Sequence, residues 1–192
     1  MADELKMDPA RIARLRDPKR LETIDPLRIL EAATPVGEGP VVDVGCGVGF
    51  ATLPLARRLP DREVVGVDLL AGMVELLAAD AAAAGLANLK THAMPGPAAI
   101  PLDAGSASLV CMVQVHHELD DAPALMRECR RVLAPGAAIV VVDWKPDDDA
   151  KGRRLPPERI EADLSGAGFA DVRRHDLYPL HSVISGRAPA SG

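Results

Sequence analysis

Aromatic residues are nearly absent from this chain: two Phe, one Trp and one Tyr stand among 192 residues. Stacking of bases on ring faces, a common way to hold single-stranded nucleic acid, has almost nothing to work with. A basic excess is missing too. With 22 Lys and Arg against 28 Asp and Glu, the net charge is −6 and the cations are scattered, so a phosphate backbone finds no electrostatic footprint. No nucleic-acid partner is expected. Cysteine is scarce, and Cys46, Cys111 and Cys129 form no Cys-x-x-Cys pair, which predicts neither a metal site nor a disulfide framework. Apolar runs of membrane-spanning length are lacking and the opening Met-Ala-Asp-Glu-Leu-Lys is charged, so no membrane partner is expected and the default is a soluble cytoplasmic protein.

What is present is concentrated in one stretch. Residues Val41 to Phe50 read Val-Val-Asp-Val-Gly-Cys-Gly-Val-Gly-Phe, an apolar strand running into an acid and three alternate glycines. Gly45, Gly47 and Gly49 can take positive φ and let backbone N–H groups approach a bound molecule. A dinucleotide fingerprint, Gly-x-Gly-x-x-Gly, would need its third glycine at position 50, where Phe50 stands. The carboxylate of Asp43 would also repel a phosphate and attract an ammonium group. Downstream, Glu63 to Asp68 forms a second short apolar strand ending in an acid, and Asp68 lies near the roughly 20-residue offset of a carboxylate that binds a ribose diol. A simpler role for Asp68 is a helix N-terminal charge.

Strand and helix patterns alternate along the rest of the chain, predicting a mostly parallel sheet covered on both faces. Helices are expected over 51–59, with Pro54 in the first turn, and over 72–84, 122–133 and 157–167. The helix over 122–133 is expected to stop before Pro135-Gly136. Further strands are expected over 89–93, 108–115 and 137–143, and a hairpin over 170–178 and 180–185 turns at Pro179. The only biased tract is the acidic Asp147-Asp148-Asp149. Before the first strand, Asp8-Pro9, Asp17-Pro18 and Asp25-Pro26 each set an N-cap acid before a proline suited to a first helical position, signalling three short helices. Leu21, Ile24, Leu27 and Leu30 are candidates for one apolar face of this arm. The organisation expected is an arm over 1–36, a single domain over 37–188 and a flexible tail over 189–192, a length suited to one α/β core.

The Asp-x-Gly-x-Gly-x-Gly turn resembles the first motif of the class I S-adenosylmethionine-dependent methyltransferases. Residues Val115 to Gly136, with His117-Glu118-Leu119-Asp120-Asp121 and Arg131-Val132-Leu133-Ala134-Pro135-Gly136, resemble the segment after the fourth strand in the small-molecule, ubiquinone-biosynthesis type of that family, and Asp143-Trp144-Lys145 resembles the end of its fifth strand. The resemblance covers nearly all of residues 10–188. It implies a Rossmann-like three-layer α/β sandwich whose mostly parallel seven-stranded sheet closes with a C-terminal antiparallel hairpin. It also implies S-adenosyl-L-methionine as cofactor, held by Asp43, Gly45, Cys46, Gly47, Gly49 and Asp68, with Leu69, Met73, Gly96 and Val113 completing the pocket. The arm either covers the sheet edge or folds over the entrance. Two departures stand out: Met94-Pro95-Gly96-Pro97-Ala98 offers no acid after the third strand for the adenine amino group, and Ser108 stands where relatives often have an Asp opening the fourth strand, a structural position.

A sulfonium methyl is already electrophilic, so alignment is the main need, and orientation alone supplies roughly 7–11 kcal/mol. If the acceptor arrives protonated, His117 is the first choice of base from its place after the fourth strand, with His116, Glu118 and Asp143 behind it. Each has an alternative as a loop residue that holds the fold. Trp144 either lines the acceptor site or packs under the Asp147 loop. Only a short polar link, 145–156, follows the fifth strand and has no room for a helical lid, so the pocket is expected to be open or closed by the arm, with a homodimer partner as a further possibility. The expected activity is methyl transfer to a small-molecule acceptor. The alternatives are a non-catalytic S-adenosylmethionine-binding sensor or partner subunit and, third, a nicotinamide oxidoreductase.

Overall fold

The computed structural model describes residues 7–147 and 152–190; Met1–Lys6, Asp148, Asp149 and the last two residues of the expected tail lie outside the described residues. Seven strands form one sheet: β1 (Val41–Val44), β2 (Val64–Asp68), β3 (Leu89–Ala93), β4 (Ala107–Val113), β5 (Leu133–Trp144), β6 (Ala170–His175) and β7 (His181–Arg187). Their order is β3-β2-β1-β4-β5-β7-β6. The pairs from β3 through β5 are parallel, while β7 runs antiparallel to both β5 and β6. This is the expected architecture, with the hairpin inserted so that β7 lies inside the sheet and β6 at its edge.

Successive residues of a strand point to opposite faces, and the core divides accordingly. Val42, Val65, Val110 and Val141 pack with α5 (Ala122–Val132) and α6 (Pro157–Gly166) on one face. Their neighbours Val41, Val64, Leu109 and Val140 pack with α3 (Thr52–Arg58), α4 (Ala71–Ala83) and the arm on the other. A sheet covered twice has no polar face, which is why these strands read as continuous apolar runs.

Three boundaries differ from expectation, each for a backbone reason. β4 stops at Val113 because Gln114 takes φ +58°, a left-handed conformation that breaks the extended ladder. β5 begins at Leu133 and so takes in Pro135-Gly136. Its register against β4 jumps from Ala107↔Leu133 to Leu109↔Ala138, and Gly136 sits at φ +77°, so the Pro-Gly pair makes a bulge in the strand as well as ending the helix. The hairpin link spans 176–180, wider than a turn at Pro179 alone.

The arm contains α1 (Pro9–Leu15), two 3-10 turns (Pro18–Glu22 and Pro26–Arg28) and α2 (Ile29–Ala32). Asp8, Asp17 and Asp25 each cap as expected, accepting from the backbone N–H of Ala10, Lys19 and Leu27 at 3.2, 2.9 and 3.0 Å. Ile24 is buried and Leu27 and Leu30 pack against the core, but Leu21 is 54% exposed. The predicted face assumed one α-helical phase, and the 3-10 turns rotate Leu21 out of it.

Candidate functional site

Strand order reverses beside β1, where the chain moves outward through β2 and β3 in one direction and through β4 and β5 in the other. Open α/β sheets bind ligands at the carboxyl ends of the strands flanking such a point. A cavity of about 390 Å³ lies there, between the ends of β1, β2 and β4 and the arm, within the size range of small-molecule sites.

Asp43, Gly45, Cys46 and Gly47 from the β1 turn line it, as do Asp68, Leu69 and Met73 after β2 and Val113 at the end of β4. Gly49 and Gly96 do not. After the third strand, Met94 and Pro97 stand in the wall instead of Gly96, and the acids Asp120 and Asp121 line it from the loop after β4. The three glycines, all at positive φ, serve different ends. A Cβ on Gly45 would meet Val115 Cγ2 at 2.5 Å, and one on Gly49 would collide with Leu77, so both are bare because protein packs against them. A Cβ on Gly47 meets no described atom within 4 Å, so at this position the bare backbone faces open space in the cavity.

Two carboxylates line the cavity with it. Asp43 is buried, accepts a 2.6 Å hydrogen bond from Thr52 Oγ1 and lies 3.6 Å from the Cys111 thiol. Burial pushes its pKa up to about 6, and the two bonds only partly offset that. Asp68 accepts from the backbone N–H of Gly47 and of Leu70, both at 2.9 Å. The latter bond is the helix-start role considered from sequence. Each carboxylate oxygen has two acceptor positions, so these bonds leave Asp68 able to accept more.

His116, His117 and Glu118 form a 3-10 turn after β4 that sends three side chains three ways. Only Glu118 lines the cavity, where Arg11 of the arm donates to both its oxygens at 3.2 Å. His117, favoured from sequence as the base, stands beside the cavity and outside its lining. Asp143 holds it twice, accepting from the backbone N–H at 2.8 Å and facing Nδ1 at 2.7 Å, and this bond raises the imidazole's pKa. With Nδ1–H donating, Nε2 is the proton-accepting nitrogen and lies 4.0 Å from Glu118. His116 is buried with Nε2 3.1 Å from Asp163, a contact too poorly directed to be a hydrogen bond, and burial lowers its pKa. Trp144 lies outside the lining; it stacks on His181 with centroids 4.2 Å apart, and Arg154 covers it.

Sequence reasoning missed a second polar group that closes the cavity. Arg20 stacks on Phe50 at 3.9 Å and donates to Gln114 Oε1 at 2.6 Å; Gln114 Nε2 in turn lies 2.9 Å from His181 Nε2. The signal available for Gln114 was its place as a polar break between Val113 and Val115, and for Phe50 its failure to be the third dinucleotide glycine. Arg11, Leu15 and Arg20 make the arm a wall of the cavity, while its Ile24, Ile29 and Ala33 pack on the sheet face. Among the described residues no three His, Cys, Asp or Glu converge as metal ligands, and no helix is long and apolar enough to cross a membrane.

Comparison with known proteins agrees with this geometry. Residues 41–136, half of the chain, match the family model described as "Methyltransferase domain". Nocamycin O-methyltransferase of Saccharothrix syringae is 31% identical over 156 residues, covering 79% of this chain and 55% of the relative. Ubiquinone biosynthesis O-methyltransferase of Albidiferax ferrireducens is 27% identical over 149 residues, covering 71% and 58%. The chain thus spans about half the length of the curated relatives it matches. The crystal structure of a SAM dependent methyltransferase from Aquifex aeolicus superposes with a TM-score of 0.85 at 26% identity, covering 94% of this chain and 98% of that one. The nicotinamide reading is set aside: the chain belongs to the class I S-adenosylmethionine-dependent methyltransferases.

Proposed function

We propose that the chain binds S-adenosyl-L-methionine in this cavity and transfers its methyl group to a small organic acceptor. The observation that carries the reading is that Asp43 and Asp68 line one cavity with Gly47, whose missing Cβ leaves open space. The residues fit the cofactor's parts. Asp43 receives the ammonium of the amino acid tail, which favours the ionised carboxylate that burial alone disfavours. Asp68 receives the ribose diol, and Leu69, Met73 and Met94 supply an apolar wall for the base. The cofactor brings a methyl group on a positively charged sulfur, a leaving group that needs no acid.

The chain's own work is then to orient the acceptor, exclude water and take up a proton. His117 is the proton acceptor of this reading. Asp143 fixes its tautomer from behind, and Nε2 faces Glu118, which lines the cavity. The acidic composition and scarce aromatics support a small molecule in place of nucleic acid; a cytoplasmic setting is part of the proposal.

Calorimetric titration with S-adenosylhomocysteine tests the cofactor half, and labelled S-adenosylmethionine incubated with a pool of small metabolites tests transfer. Label transfer that disappears in Gly47→Arg supports the reading. Tight binding with no transfer to any metabolite overturns the enzymatic half, and absence of binding overturns the whole.

A further inference from the structure

Away from the cavity, one buried face carries a pair of ionisable side chains that methyl transfer does not use. The buried residues of α6 are Ile160, Asp163 and Leu164, so a carboxylate stands where an amphipathic helix would present an apolar side chain. Opposite it is His116, whose side chain is fully buried, with Nε2 3.1 Å from Asp163 Oδ2. Arg159, one turn earlier on α6, donates to both Asp163 oxygens at 3.2 and 3.0 Å and balances the carboxylate from the solvent side. His116 has Asp163 and Arg159 facing it from α6 and Asp143 from β5, yet burial outweighs them and keeps the imidazole neutral.

Such a pair is a poor device for stability. Taking a carboxylate and an imidazole out of water is costly, and well-packed apolar residues in both places are often neutral or stabilising. Its location gives another reason for it. His116 opens the 3-10 turn that carries His117 and Glu118. From the sheet side, Asp143 holds the backbone N–H and Nδ1 of the next residue, His117. Two consecutive side chains of a three-residue turn therefore face two buried carboxylates, one from β5 and one from α6, and a turn held from two elements cannot swing about either one alone.

We propose that Asp163 is a positioning residue: acting through His116, it fixes the rotation of the 116–118 turn and so sets the aim of His117 Nε2 and Glu118. The inference rests on the reading in which His117 accepts the proton. It makes α6, which lines no part of the cavity, a component of the alignment.

Movement of the turn can be read without turnover. The charges that bear most on the His117 imidazole are those of Asp143, Glu118 and Arg153, so a midpoint that moves on altering His116 or Asp163 reports a displaced ring. The ring is titrated by NMR in the wild type, His116→Leu, the double variant His116→Leu/Asp163→Leu and Asp163→Asn, alongside thermal melts, S-adenosylhomocysteine calorimetry and labelled methyl transfer. The double variant should melt no lower than the wild type and bind S-adenosylhomocysteine equally. Its His117 midpoint should fall toward the ordinary 6.5, and transfer should drop by about 10- to 100-fold. His116→Leu, in which Arg159 still balances Asp163, should show the same shift. Asp163→Asn keeps an oxygen opposite Nε2 and should hold the wild-type midpoint. A wild-type midpoint in both leucine variants, or one displaced as far by Asp163→Asn as by the double replacement, overturns the proposal. Failure to bind S-adenosylhomocysteine, or full transfer in His117→Ala, sinks the reading of the site instead, and the titration still decides whether Asp163 sets the turn.

Discussion

Gln114 and His181 meet through their side-chain nitrogens, 2.9 Å apart. Since Arg20 occupies Gln114 Oε1, the amide nitrogen donates and His181 Nε2 accepts, so the imidazole is neutral. Burial pushes its pKa down to about 4, and its Nδ1 is buried without a hydrogen-bond partner. Here a strained backbone residue, Gln114 at φ +58°, is held by a side chain reaching it from the sheet's antiparallel half.

A pH dependence of stability follows. His181 has a folded pKa below its ordinary 6.5, so its contribution is complete above that value and is lost as pH falls toward 4. Asp43 works oppositely: its stabilising contribution, present below 3.8, is lost as pH rises through about 6. Thermal melts from pH 4 to 7 on the wild type and His181→Leu separate the two. The variant melts lower at pH 7 but loses less on acidification. Parallel curves would rule out His181 as a source of acid sensitivity.

Ligand binding should sense Asp43 directly. An ammonium opposite the carboxylate favours its charged form, so affinity for S-adenosylhomocysteine rises as pH passes about 6 and levels off above it. Asp43→Asn should bind about 10- to 100-fold more weakly at neutral pH and show no such rise. Isothermal titration at pH 5, 6, 7 and 8 reads both, and a wild-type affinity that stays flat across this range contradicts the assignment.

The glycines of the turn should respond differently to substitution. Gly45→Ala drives a methyl into Val115 on top of left-handed backbone strain, and is expected to destabilise by about 2–5 kcal/mol in denaturant titrations. Gly47→Arg projects into open space, so it should cost only the left-handed backbone strain, about 1–2 kcal/mol, while blocking the ligand. Comparable loss of stability in both would mean that the space before Gly47 is not free.

His117 should matter to turnover alone. Its Ala variant is expected to lose about 10²- to 10⁴-fold in rate on an acceptor that arrives protonated, with S-adenosylhomocysteine affinity unchanged. Asp143→Asn removes the bond that raises the imidazole pKa, so the rise of rate with pH should shift to lower pH. Full activity in His117→Ala would reassign the proton to Glu118 or to solvent.

Much of this was legible in the sequence because it depends on local chemistry. Alternate glycines beside Asp43, a strand ending in Asp68 and three Asp-Pro caps are written in adjacent residues, and the apolar runs of β1, β2 and β4 announce a sheet buried on both faces. Arg20, Gln114 and His181 were not legible as a group, because they come from the arm, the residue just after β4 and the start of β7, and meet only through the topology. The same reason explains His117: its place after the fourth strand could be read, but which of three consecutive side chains a 3-10 turn aims at the cavity could not. Leu21 shows the complementary failure, since a helical period cannot be projected through 3-10 turns.

One wall of the cavity comes from a separate stretch, α1 and the turns after it, that adds no strand to the sheet. The carboxylates proposed to hold the cofactor, Asp43 and Asp68, therefore stand on strand ends that this stretch does not build. On the proposed reading, exchanging residues 9–22 for another sequence, with Ile24 and Ile29 kept to seat it on the core, would reshape this wall while leaving Asp43 and Asp68 in place.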